Sequence, residues 1–116
     1  MAGPFVIASA DLRWTGAGLH RPECVLATAS GRLWVSDWRG GVTAIHPRGN
    51  CEPLLASPPV AGLRPNGIAM RPDGSFLLAC LGEYGGIWHL GRNGRCEPFC
   101  TRVEGRPMPP TNFVHE

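Results

Sequence analysis

Three side chains bearing oxygen donors stand at near-even intervals in the sequence: Glu23, Asn66 and Asn112, spaced 43 and then 46 residues apart. A carboxylate and two carboxamides are the hard donors that a divalent cation takes, and the same groups serve as ordinary turn residues. Asn66 precedes Gly67, which suits a turn needing a left-handed residue, and Glu23 taken alone is an exposed turn carboxylate. His20, three residues before Glu23, is a candidate for a supporting contact at the same place. His46, His89 and His115 are scattered, with no i, i+4 pair and no Cys partner at zinc spacing, and read as surface or loop residues. Ser30, Ser36 and Ser57 lack the context of a nucleophile elbow, and Asp37, ahead of Trp38-Arg39-Gly40-Gly41, reads as a turn cap. Cys24, Cys51, Cys80, Cys96 and Cys100 include no C-x2-C pair and read as small hydrophobes in a reducing compartment.

The elements that position these groups come from an internal repeat. Arg21-Pro22-Glu23 through Val35 aligns with Arg64-Pro65-Asn66 through Leu78, and Gly41-Val42-Thr43-Ala44-Ile45 aligns with Gly86-Ile87-Trp88-His89-Leu90. Gly49-Asn50-Cys51-Glu52-Pro53-Leu54 aligns with Gly94-Arg95-Cys96-Glu97-Pro98-Phe99, and Thr111-Asn112-Phe113-Val114 opens a third copy. In this register Glu23, Asn66 and Asn112 are equivalent. Each copy predicts four short strands separated by Gly or Asp-Gly turns: about 24–27, 32–36, 41–46 and 52–55, then 67–70, 75–80, 86–90 and 97–101. A repeat of roughly 40 to 50 residues holding four strands is the signature of a β-propeller blade. The expected fold is therefore all-β, a propeller of four-stranded antiparallel blades. Residues 21–63 form the first blade, 64–106 the second and 107–116 the start of a third; 1–20 is an N-terminal segment whose Asp11–Trp14 stretch is a candidate outer strand of the closing blade. Trp34, Phe76, Ile87 and Trp88 are expected at blade-to-blade contacts, and Glu83 and Tyr84 in a longer surface loop.

Composition narrows the function classes. The 116 residues carry 11 basic groups, all Arg, against 9 acidic ones, and at 43% hydrophobic the chain has the apolar content to fold. The basic residues form no run or stripe, so nucleic acid is not an expected partner. No basic, apolar leader opens the chain and no apolar run approaches the ~18 residues of a membrane span, so a cytoplasmic protein without a membrane partner is expected. The 16 Gly and 12 Pro fall between the apolar runs, as blade turns require.

Together, Arg21-Pro22-Glu23, Gly31-Arg32-Leu33-Trp34-Val35-Ser36-Asp37, Arg64-Pro65-Asn66-Gly67-Ile68-Ala69 with Pro72-Asp73-Gly74, and Pro109-Pro110-Thr111-Asn112-Phe113-Val114 resemble the six-bladed gluconolactonase, senescence-marker-protein and luciferin-regenerating-enzyme family. The resemblance runs from Asp11 onward. It implies one divalent metal in the central channel, calcium first with zinc or magnesium as alternatives, polarising the carbonyl of a lactone and activating water. It implies Glu23 as a metal ligand, and Asn112 and Asn66 as substrate contacts or water-mediated ligands. The implied partner is a small lactone or sugar-acid-like molecule. The sequence departs from the family at Cys24-Val25, where Gly-Pro often follows the Glu, and at Phe113, where Asp often follows the Asn. Two blades and part of a third fall short of the four to eight that close a ring, so the sequence reads as the N-terminal part of a longer propeller, inactive alone, with its catalytic base beyond Glu116. A non-catalytic propeller that serves as a binding scaffold is the alternative.

Overall fold

Gly31 and Gly74, equivalent in the repeat, both sit at φ +84° in turns of the same construction. In the first, the Thr28 N–H donates to the Arg32 carbonyl at 3.0 Å; in the second, the Arg71 N–H donates to the Ser75 carbonyl at 2.8 Å. Only glycine takes this left-handed conformation without steric cost, so the two Gly positions set where the first hairpin of each sheet turns. A computed structural model, which describes residues 3–116, places four strands around each of these turns. The first sheet is β1 (Val25–Ala27), β2 (Leu33–Asp37), β3 (Gly41–Ile45) and β4 (Cys51–Leu55), in that order and antiparallel throughout. The second repeats it with β5 (Pro65–Met70), β6 (Phe76–Cys80), β7 (Ile87–Leu90) and β8 (Cys96–Cys100). The fold is all-β, as expected, and the strands lie within two residues of their expected bounds. The β2–β3 loop spans 38–40 and the β6–β7 loop 81–86, so the length difference between the copies falls at this hairpin.

Cross-strand pairing fixes which residues share a face. Trp34 pairs with Ala44 and Ser36 with Val42, while Leu33, Val35 and Asp37 pair with Ile45, Thr43 and Gly41. The Trp34 face meets the second sheet; Trp34 and Phe76 lie with ring centroids 4.9 Å apart at 57°. Val42, Ala44, Ile68, Leu78 and Leu90 complete a continuous buried core between the sheets. The opposite face of the first sheet is also covered, since Ile45 packs against Gly16. That is why β2 is buried along nearly its whole length rather than at alternate residues.

This packing has a consequence for the repeat. Trp34 corresponds to Leu77, yet the second sheet meets the first through Phe76 and Leu78. Residues 43 apart alternate in parity, so the two repeats contribute opposite faces to their interface. Such packing is head-to-tail, and each sheet keeps outward the face that its neighbour buries. The radius of gyration, 16.0 Å, exceeds the roughly 13 Å of a compact chain of this length, and no ring closes among the described residues.

Two segments differ from expectation. Ser9–Asp11 is a single 3-10 turn and Leu12 to Trp14 runs exposed, with no strand partner among the described residues; the closing blade that this stretch was expected to complete is not one of the two sheets. Across the expected boundary between second and third blades, β9 (Arg102–Val103) and β10 (Arg106–Pro107) form a small hairpin. Glu104 (φ 49°) and Gly105 (φ 76°) supply the paired positive dihedrals of a type I′ turn, the geometry that joins twisted strands most tightly. Among the described residues no helix is long and apolar enough to cross a membrane.

Candidate functional site

The head of the first inner strand is held from behind by β2. Ser36, without solvent exposure, accepts the N–H groups of Glu23 and Cys24, each at 3.1 Å, and its own N–H donates to the Cys24 carbonyl at 3.1 Å. Three bonds to one buried residue fix the backbone that presents Glu23. The Glu23 side chain remains half exposed and accepts from Arg21 Nε at 3.0 Å. Arg21 is in turn held in a left-handed conformation, φ 52°, with its guanidinium 3.9 Å above the Trp38 ring centroid. A non-glycine residue there stores about 1 kcal/mol of backbone strain, offset here by the ion pair and the stacking.

The start of β5 and the segment around Asn112 meet directly. Asn66, half buried near the start of β5, donates from Nδ2 to the Asn112 carbonyl at 3.2 Å and to Asn112 Oδ1. The Gly67 N–H donates to the same carbonyl at 2.9 Å. Gly67 permits this approach, because a Cβ there would lie 2.7 Å from Phe113 Cα. Asn112 itself is exposed. Thus Asn66 and Asn112 are brought together, whereas Glu23 is engaged with Arg21 and bonded to neither among the described residues. His20 is exposed; its carbonyl accepts the Trp38 N–H at 2.9 Å, so backbone rather than imidazole ties it to the site.

The loop after β2 completes this end of the sheets. Asp37, buried, accepts from Arg39 Nη2 and Thr43 Oγ1, each at 2.7 Å, and from the Arg39 N–H at 2.8 Å. Burial pushes its carboxyl pKa up, but the hydrogen bonds from Arg39 and Thr43 and the Arg39 charge outweigh that, and the pKa lies below the usual carboxylate value. It caps the turn. Arg64, equivalent to Arg21, donates from Nη1 to the carbonyls of Trp38 and Leu63, both at 3.2 Å.

Ser36, Trp38, Arg21 and Arg64 were not singled out as site residues in the sequence. Ser36 carried a signal, a hydroxyl in a strand otherwise destined for burial, which needs a backbone partner. The contacts of the other three depend on how loops meet.

Elsewhere, a groove of about 390 Å³ runs beside the inner strands past Leu26, Met70 and Phe113. A second cavity, about 370 Å³, lies between Glu83, Tyr84, Trp88, Arg102 and Met108. Trp88 therefore serves both as partial core and as a cavity wall. The five cysteines are free thiols among the described residues, and burial, with Cys80 and Glu97 nearby, pushes the Cys96 thiol up to about 11.

In donor type, Glu23, Asn66 and Asn112 suit a hard cation. In number they fall short of the six to eight oxygens that calcium takes, and among the described residues no group of three or more His, Cys, Asp or Glu side chains is placed to hold a metal. The chain matches no protein-family model, and no curated protein matches it.

Proposed function

We propose that the two sheets are successive blades of a β-propeller and that the ring, completed by further blades, is a metal-dependent hydrolase of lactones resembling the gluconolactonase group. The observation that carries this reading is that Glu23, just before β1, and Asn66, at the start of β5, stand at equivalent places in the two sheets, with Asn112 in hydrogen-bonding contact with Asn66. Head-to-tail use of opposite sheet faces supports the propeller, because a heterologous interface that rotates at each step generates a ring. Ser36 presents Glu23 at a fixed backbone position, Arg21 orients its carboxylate, and Asn66 donates to Asn112 so that the two carboxamides hold one another. Glu23, Asn66 and Asn112 would hold part of a divalent cation's oxygen set, with the rest from other blades, and the cation would supply Lewis acidity toward a lactone carbonyl and toward water.

A second reading, a non-catalytic binding propeller, is favoured by one observation: the Glu23 carboxylate already has a cationic partner in Arg21. Hydrolysis of D-gluconolactone, followed by acid release with and without calcium, separates the two. The hydrolase reading expects no turnover from the 116-residue chain, and calcium-dependent turnover in a protein in which further blades complete the ring, falling about 100-fold in Glu23→Gln. Turnover in the completed ring that ignores both calcium and Glu23→Gln would defeat it.

A further inference from the structure

Arg21 and Arg64 bracket one residue, Trp38. The Arg21 guanidinium stacks on its ring at 3.9 Å and Arg64 Nη1 holds its carbonyl at 3.2 Å, while the Trp38 N–H is tied to His20. Both arginines stand two residues before a strand-head side chain, Glu23 or Asn66, in the same Arg-Pro-X setting. They therefore reach the end of the sheets where those side chains lie.

The charges at this end do not balance. Arg21 is paired with Glu23 and Arg39 with Asp37. Arg64 is exposed and, among the described residues, has only carbonyl oxygens as partners; Glu83, in the loop whose Gly82 touches the Arg64 side chain, makes no ion pair with it. Asn66, two residues further along the chain, has no hydrogen bond to its Oδ1 among the described residues, since its Nδ2 alone serves Asn112. An exposed guanidinium held by two carbonyls, with further N–H groups unused and a carboxamide two residues along the chain, matches a planar anion flanked by hydroxyls. Arg21, already paired with Glu23, leaves Arg64 as the free cation of the two among the described residues, and its strained backbone shows that its position is held at some cost.

We propose that this cluster makes the site selective for a cyclic ester that also carries a carboxylate, as in the lactone of a sugar diacid, with Arg64 as the carboxylate anchor. The assignment rests on the reading above in taking this end of the strands as the side on which ligand enters. It requires no metal, so the two are separable.

A matched pair of ligands tests it: D-glucarolactone, which bears the carboxylate, and D-gluconolactone, which has a hydroxymethyl group there. Binding is measured by calorimetry on the 116-residue chain without metal, and perturbed amides are mapped by NMR. D-glucarolactone should bind about tenfold more tightly, lose that advantage between about 0.05 and 0.5 M salt, and perturb Trp38, Arg64 and Asn66. Arg64→Gln should erase the tenfold preference, Arg64→Lys should keep part of it, and Arg92→Gln, remote from the cluster, should leave it intact. Equal affinity for the two lactones, a preference that survives Arg64→Gln in a folded variant, or inorganic phosphate binding as tightly as D-glucarolactone would each overturn the assignment. Because hydrolysis is not read, failure here leaves the hydrolase proposal to its own calcium and Glu23→Gln test.

Discussion

The Ser36 hydroxyl accepts the backbone N–H of Glu23 at 3.1 Å, and the Cys24 N–H at the same distance, from a position closed to solvent. A strand-interior serine on the core face thus sets where a carboxylate at the sheet end begins. Ser36→Ala leaves two amides without their acceptor, and each such group costs about 1–3 kcal/mol when water cannot replace it. The expected loss is about 2 kcal/mol in urea unfolding, with the largest rise in hydrogen exchange at Glu23 and Cys24. A loss below about 0.5 kcal/mol would show that water reaches these amides.

Asp37 makes stability depend on acid. Its carboxyl pKa is lowered in the folded chain, so the stability it contributes is fully present above the unfolded carboxylate value of 3.8 and is lost as pH falls through the lower folded value. Asp37→Asn, which keeps the size but removes the charge opposite Arg39, should lower stability at pH 7 and flatten the acid limb of the pH–stability curve. An acid limb identical in the variant would assign that limb to other carboxyls.

Trp34 and Phe76 join the two sheets. Truncating either to Ala should cost about 3–5 kcal/mol, because both are buried and leave a cavity. In the double variant the costs should fall short of additive by about 0.5–1.5 kcal/mol, the worth of the tilted ring pair. Strict additivity would mean that the rings touch without coupling.

Gly67→Ala should detach the segment that follows the second sheet. The added methyl would sit 2.7 Å from Phe113 Cα and 2.9 Å from the Asn112 carbonyl, both backbone, so the strand must move away. Limited proteolysis should then cut near Thr111 to Val114 at least about tenfold faster, while the first sheet keeps its exchange protection. Unchanged cleavage would place the 109–114 stretch elsewhere in solution.

Much of the architecture was legible along the chain. The Gly-marked turns, the alternation of short apolar runs and the 43-residue register placed all eight strands of the two sheets, because strand pairing in a meander is local and its turns need particular residues. The β9–β10 hairpin escaped notice because strands of two residues carry no periodicity. The Asp11–Trp14 stretch, expected as an outer strand of a closing blade, has no strand partner among the described residues, because a strand forms only where a neighbouring edge offers hydrogen bonds.

The sequence by itself determined the two equivalent four-stranded sheets and the equivalence of Glu23, Asn66 and Asn112, since both follow from spacing. Tertiary structure alone decided how those three are used: Asn66 with Asn112, Glu23 with Arg21, and Arg64 left with only carbonyls. Register says which positions are alike. The ion pairs Arg21–Glu23 and Arg39–Asp37 join residues two apart, whereas the Arg64–Trp38 and Asn66–Asn112 contacts span 26 and 46 residues, and no local pattern encodes those, because a long side chain pairs with whatever the fold brings within reach.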